Sequence, residues 1–109
     1  MRDYLTGLNE GHTLDALNAF SMDASVTDAA GRQRRGIREI AAAFARDERP
    51  LQVEIEDLTR EGDVVAVRMR MQFPQSRSPK TYRSVFRVHR DRIQSLVVDP
   101  LPARGSRRL

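Results

Sequence analysis

A carboxylate held at the edge of an apolar environment can move protons, because desolvation lifts its pKa toward a useful range. Asp28, closing the alternating β-branched run Ala24-Ser25-Val26-Thr27-Asp28, is the best candidate for such work. The plain alternative is that Asp28 ends a strand or pairs with Arg32, Arg34 or Arg35. Tyr4 offers a phenol that either donates a hydrogen bond to a ligand or packs its ring on a helix with the hydroxyl tethered. Met69, Met71, Phe73 and Phe86, together with Leu8, Phe20 and Phe44, make either a soft pocket for a flat or irregular apolar molecule or simply core.

Other chemistries have little support. The chain has no cysteine, which removes disulfides, redox pairs and thiolate metal sites. Its two histidines, His12 and His89, fall where solvated side chains are expected, so no metal centre and no cofactor are anticipated. GxGxxG, Walker, GxSxG and HExxH patterns are missing from the sequence. Arg32, Arg34, Arg35 and Arg38 suggest phosphate or nucleic acid, but no recognition helix or aromatic RNA-binding motif accompanies them. They read as a solvated basic rim, and nucleic acid is disfavoured as a partner.

With 109 residues, the chain has room for one core and not for two. The net charge of +4 includes Arg104, Arg107 and Arg108 at the very end, so the body is nearly neutral. No apolar run approaches the roughly 18 residues of a membrane span, and the expectation is a soluble, cytoplasmic protein that does not enter membranes.

The elements that would position these residues follow from hydrophobic period. Tyr4, Leu5 and Leu8 mark a short helix over residues 2–10 stopped by Gly11, and Leu14, Leu17 and Phe20 mark a second over 14–21, capped by Thr13. Ala30-Gly31 is a turn after a short strand, and Ile37, Ile40, Ala41 and Phe44 form the buried stripe of a third helix ending before Pro50. From residue 51 the period becomes two. Val65, Val67, Met69, Met71 and Phe73 face one way and Arg68, Arg70 and Gln72 the other, while Tyr82, Ser84, Phe86 and Val88 alternate with Thr81, Arg83, Val85 and Arg87. A last apolar strand runs through Ile93, Leu96, Val97 and Val98 to Pro100. Helices followed by antiparallel strands predict an α+β domain over residues 1–100 with a flexible basic tail, 101–109.

This order of elements and three stretches, Tyr4 to Gly11 followed by Leu14-Asp15-Ala16-Leu17, then Asp23 to Asp28, then Arg35-Gly36-Ile37-Arg38-Glu39-Ile40, resemble the nuclear transport factor 2-like superfamily, in its SnoaL-like and ketosteroid isomerase-like branch. The resemblance implies a cone in which three N-terminal helices and a strongly curved, mostly antiparallel sheet enclose an apolar pocket, and often a homodimer through the outer sheet face. It also implies roles. Tyr4 falls at the position of a tyrosine that donates to an enolate oxygen, and Asp28 at that of the aspartate that moves the proton, an acid–base logic known from ketosteroid isomerase. The third position holds Ser84 where those isomerases carry a protonated aspartic acid, so the strong donor is replaced by a weaker one. The Arg-x-Asp of limonene epoxide hydrolase-like members is replaced by Tyr82-Arg83-Ser84, and SnoaL-like cyclases would need an acid such as Asp28 or Asp99.

The resulting expectation is a domain that binds a small apolar molecule, as an isomerase or cyclase moving a proton next to a carbonyl. The alternative is a module for ligand binding or protein association without turnover. Glu54 and Glu56 are expected to pair with the sheet arginines across strands or across a dimer seam.

Overall fold

Strand pairing, more than helix packing, sets this architecture. The computed structural model describes residue 4 and residues 13–46 and 51–101. Among them run a helix α1 (Thr13–Asn18), strands β1 (Phe20–Thr27) and β2 (Gln33–Arg35), a helix α2 (Ile37–Arg46), and strands β3 (Gln52–Glu61), β4 (Val64–Gln72), β5 (Lys80–His89) and β6 (Arg92–Pro100). The strands form one curved, open sheet in the order β2-β1-β6-β5-β4-β3. All neighbours are antiparallel except β1 and β6, which run parallel. This is the α+β layer expected from the change of period. Apart from Tyr4, which is helical, the first expected helix lies outside the described residues, as does the tail from residue 102.

The second helix is shorter than its apolar spacing suggests. It stops at Asn18, Ala19 turns back with its N–H on the Ala16 carbonyl at 3.3 Å, and Phe20 opens β1 opposite Ile93. A three-residue step from Leu17 to Phe20 fits a helix and a helix end equally well, and pairing with β6 decides between them.

One face of the sheet is dry. Val65, Val67 and Met69 of β4, Phe86 of β5, and Ile93 and Leu96 of β6 are buried there, together with Phe20, Ala24 and Val26 of β1. Helix α2 covers β1 and β2 with Ile40 and Ala43 buried beneath it. Gly36 allows the sharp entry into α2: its φ is +86°, and its N–H donates to the Ala24 carbonyl at 2.7 Å. The other face is wet. Arg68, Arg70, Arg83 and Arg87 project from it, and Arg70 Nη2 donates to Glu54 Oε1 at 2.6 Å across the β3–β4 pair.

The cover stops short of β3. A register shift between Ile55 and Asp57 leaves Glu56 as an extra residue, so that Ile55 faces Met69 and Leu58 faces Val67. Both belong to the inner face, yet each is nearly half exposed, 45% and 46%.

Candidate functional site

The first strand ends where the inner face meets solvent, and Asp28 stands one residue past it. Alternation from Val26 carries Asp28 toward the inner side. Its carboxylate ties the β1–β2 turn together. Oδ1 accepts from the Ala30 N–H at 3.0 Å and the Arg32 N–H at 2.9 Å, and Oδ2 accepts from Arg32 Nε at 3.1 Å. Partial burial pushes the Asp28 pKa up, but the two amide donors and the Arg32 guanidinium outweigh it and hold the group below the ordinary carboxylate value. Asp28 is therefore ionised at neutral pH. It also makes the pairing with Arg32 that its neighbourhood of arginines offered.

Ser84 is the buried polar side chain of the described residues, 2% exposed. It sits on the inner face of β5 opposite Val67 on one side and Val98 on the other. Thr27 pairs with Val97 in the parallel seam, so Asp28 lies one step past the last paired residue of β1, on the far side of β6 from Ser84. Two strand spacings separate them, about 10 Å between backbones.

Tyr4 closes the group from the helical side. Its ring meets Phe20 edge-on at 5.4 Å, Phe86 at 5.5 Å and Phe44 at 6.4 Å between centroids. Burial pushes its phenol well above the ordinary tyrosine value, so the hydroxyl keeps its proton. Tyr4, Phe86 and Ser84 thus gather around β5, with an ionised carboxylate at the rim.

The expected lining residues divide into groups. Phe20, Met69 and Phe86 are core, Phe44 and Met71 pack against it partly buried, and Phe73 pairs with Tyr82 at 6.5 Å outside that cluster. Leu8 and His12 lie outside the described residues. Asp99, the other acid considered for catalysis, is exposed and opposite Arg83, on the outer face. His89 is exposed at the end of β5. No group of three metal-binding side chains occurs among the described residues, and no described helix is long and apolar enough to cross a membrane.

The fold is that of the nuclear transport factor 2-like proteins. A protein of that type and of unknown function from Burkholderia xenovorans LB400 superposes with a TM-score of 0.79 at 15% identity, over 97% of this chain and 85% of its own. A candidate ketosteroid isomerase from Kribbella flavida matches with a TM-score of 0.78 at 13% identity, covering 94% of this chain and 75% of that one. A candidate polyketide cyclase from Sinorhizobium meliloti is 26% identical, with a TM-score of 0.72 over 88% and 89% of the two chains. The sequence model of the SnoaL-like domain matches residues 1–96, and the chain belongs to that family. No curated protein matches it.

Proposed function

We propose that this SnoaL-like domain binds a small apolar molecule against the inner face of its sheet, with Ser84, Tyr4 and Asp28 as the polar contacts. The observation that carries this reading is Ser84, a buried hydroxyl in an otherwise apolar row, flanked by Val67 and Val98. A hydroxyl there favours a ligand oxygen over a purely hydrocarbon surface. Tyr4, protonated at any ordinary pH, adds a second donor type.

Turnover is the finer form of the same reading. Asp28 would take a proton from a carbon beside a ligand carbonyl, Tyr4 and Ser84 would donate to the enolate oxygen, and Asp28 would return the proton to another carbon. Its ionised state suits a base. Its three hydrogen bonds oppose it, because a carboxylate held below its ordinary pKa is a weak one. Binding is therefore the function the geometry supports best.

Thermal shift with planar phenols, as enolate mimics, and enolisable ketones tests both forms. Phenols are expected to raise the melting temperature by linkage, and more so in Asp28→Asn, where the negative charge is gone. Loss of solvent-proton exchange into a bound ketone in Asp28→Asn, with affinity retained, would support turnover. No shift with any compound in either protein would overturn the reading for these ligand types.

A second reading concerns the outer face. Ala66, Val85 and Val97 form an apolar row across β4, β5 and β6, with Val97 38% exposed, beside the opposed pair Arg68 and Arg83. We infer that a second copy of the chain packs there. Sedimentation of wild type and Val97→Glu tests it: a dimer that becomes a monomer supports the pairing, and a wild-type monomer at micromolar concentration overturns it.

A further inference from the structure

The two open edges of the sheet are unlike. At one end of the strand order β2 is three residues long, basic and covered by α2, where the Arg34 Nε is closed to solvent without a hydrogen-bond acceptor among the described residues. At the other end β3 is ten residues long, and no described strand pairs with its far side. Every residue of β3 except Val53 is exposed. An edge of that length offers another chain a row of backbone N–H and C=O groups.

Side chains along β3 select the kind of chain that fits. The strand carries the acids Glu54, Glu56, Asp57 and Glu61 against the single base Arg60. Glu54 is held by Arg70, whereas Glu56, Asp57 and Glu61 make no ion pair among the described residues. On the inner side Ile55 and Leu58 are nearly half exposed. Strand β4 already meets this pattern from the near side. Its run Val67-Arg68-Met69-Arg70 sets Val67 opposite Leu58, Arg68 opposite Asp57, Met69 opposite Ile55 and Arg70 opposite Glu54. A second strand of that alternation is complementary on the far side, whereas β3 of a second copy would bring acids against acids.

We propose that β3 is a docking edge for an extended basic segment of a partner protein, which joins the sheet as one more strand with arginine or lysine alternating with apolar residues. Backbone pairing holds the segment, and its side chains give the selectivity, basic groups toward the acids of β3 and apolar ones toward Ile55 and Leu58. The extra residue at Glu56 increases the local twist, which disfavours long flat pairing between copies and suits a short segment. This edge uses none of Ser84, Tyr4 or Asp28 and lies apart from the outer row of Ala66, Val85 and Val97, so it stands whether or not a ligand binds the inner face.

Amide-resolved NMR titration of the full chain with the peptide Thr-Val-Arg-Val-Arg-Val-Thr and with its acidic counterpart Thr-Val-Glu-Val-Glu-Val-Thr tests this. Because the whole chain carries a net charge of +4, a preference for the basic peptide reports on local acids and not on overall charge. The basic peptide is expected to bind about tenfold or more tightly than the acidic one, the size of two charge pairs turned from repulsion to attraction. It is also expected to slow hydrogen exchange at alternate amides between Ile55 and Glu61, those turned away from β4. The double variant Glu56→Lys with Glu61→Lys, at two exposed positions, should melt as wild type does and hold the basic peptide about tenfold more weakly. Equal affinity of wild type for the two peptides, or unchanged affinity in the variant, would overturn the proposal, and the two-peptide comparison decides without any variant. Binding without slowed exchange in β3 would show charge attraction with no strand pairing and would overturn it too. Protection along β3 that exists without peptide and disappears on dilution would assign the edge to a second copy, and no binding of the basic peptide at millimolar concentration would leave the edge without this partner; either result overturns the proposal.

Discussion

Asp28 directly follows Thr27, the last residue of β1 to pair with β6, while Ser84 lies opposite Val98 on the far side of β6, a carboxylate at the rim of the sheet and a hydroxyl inside it. The first is an ionised group that solvent still reaches, the second a neutral one that it does not. Any ligand touching both must present a polar atom at depth and another near the surface.

The carboxylate's contribution to stability depends on pH in a definite direction. Its native pKa is lowered, so the stabilisation is fully present above the ordinary unfolded value of about 3.9 and is lost as pH falls from there through the native value. Asp28→Asn is expected to cost about 1 kcal/mol at neutral pH, because the Asp28 site is partly exposed. The difference from wild type should shrink in chemical denaturation below about pH 4. A gap that stays constant to pH 2 would contradict the account.

Phe86 is fully buried and carries the ring of Tyr4 edge-on. Phe86→Ala is expected to destabilise by about 3–5 kcal/mol, read from urea midpoints, because both the transfer energy and the cavity count against it. In a domain of this size such a loss leaves little of the total stability.

Alkaline titration reads the two tyrosines. Burial raises both Tyr4 and Tyr82, so the folded state binds their protons more tightly and is stable below the ordinary phenol value of about 10, losing stability as pH rises above it. In Tyr82→Phe, tyrosinate absorbance should appear only together with loss of the far-ultraviolet dichroism. Ionisation of Tyr4 near pH 10 in a protein that stays folded would sink this prediction.

The β5–β6 hairpin turns through Arg90 and Asp91, whose φ angles are 52° and 66°. His89 pairs with Arg92 around them, which makes a two-residue turn with both centres left-handed. Replacing the pair by Asn-Gly is expected to stabilise the protein by about 1 kcal/mol, relieving the conformational cost of two side chains there. The corresponding rise in melting temperature is about 4 °C or more.

The β half was legible because its alternation is strict. Val65, Val67 and Met69 did turn inward and Arg68 and Arg70 outward, and Ser84 shares the buried face with Phe86. Period fails where a partner decides. The extra residue at Glu56 swaps the faces of Asp57 and Leu58, and only the register with β4 reveals it. Three arginines follow Asp28 in sequence, and the turn selects Arg32 because the Asp28 N–H already bonds its carbonyl at 2.9 Å. The closed Nε of Arg34 had no signal in the sequence, since it depends on how an edge strand lies under a helix.

The parallel seam between β1 and β6 has a kinetic consequence. Ser21 Oγ reaches the Ile93 carbonyl across 72 residues, and Arg92 reaches the Asn18 carbonyl across 74. Local hairpins β3–β4, β4–β5 and β5–β6 require only short loops to close. The seam cannot form until that meander has brought β6 into place, so chain closure is the slow step and the rate belongs to proteins of high contact order.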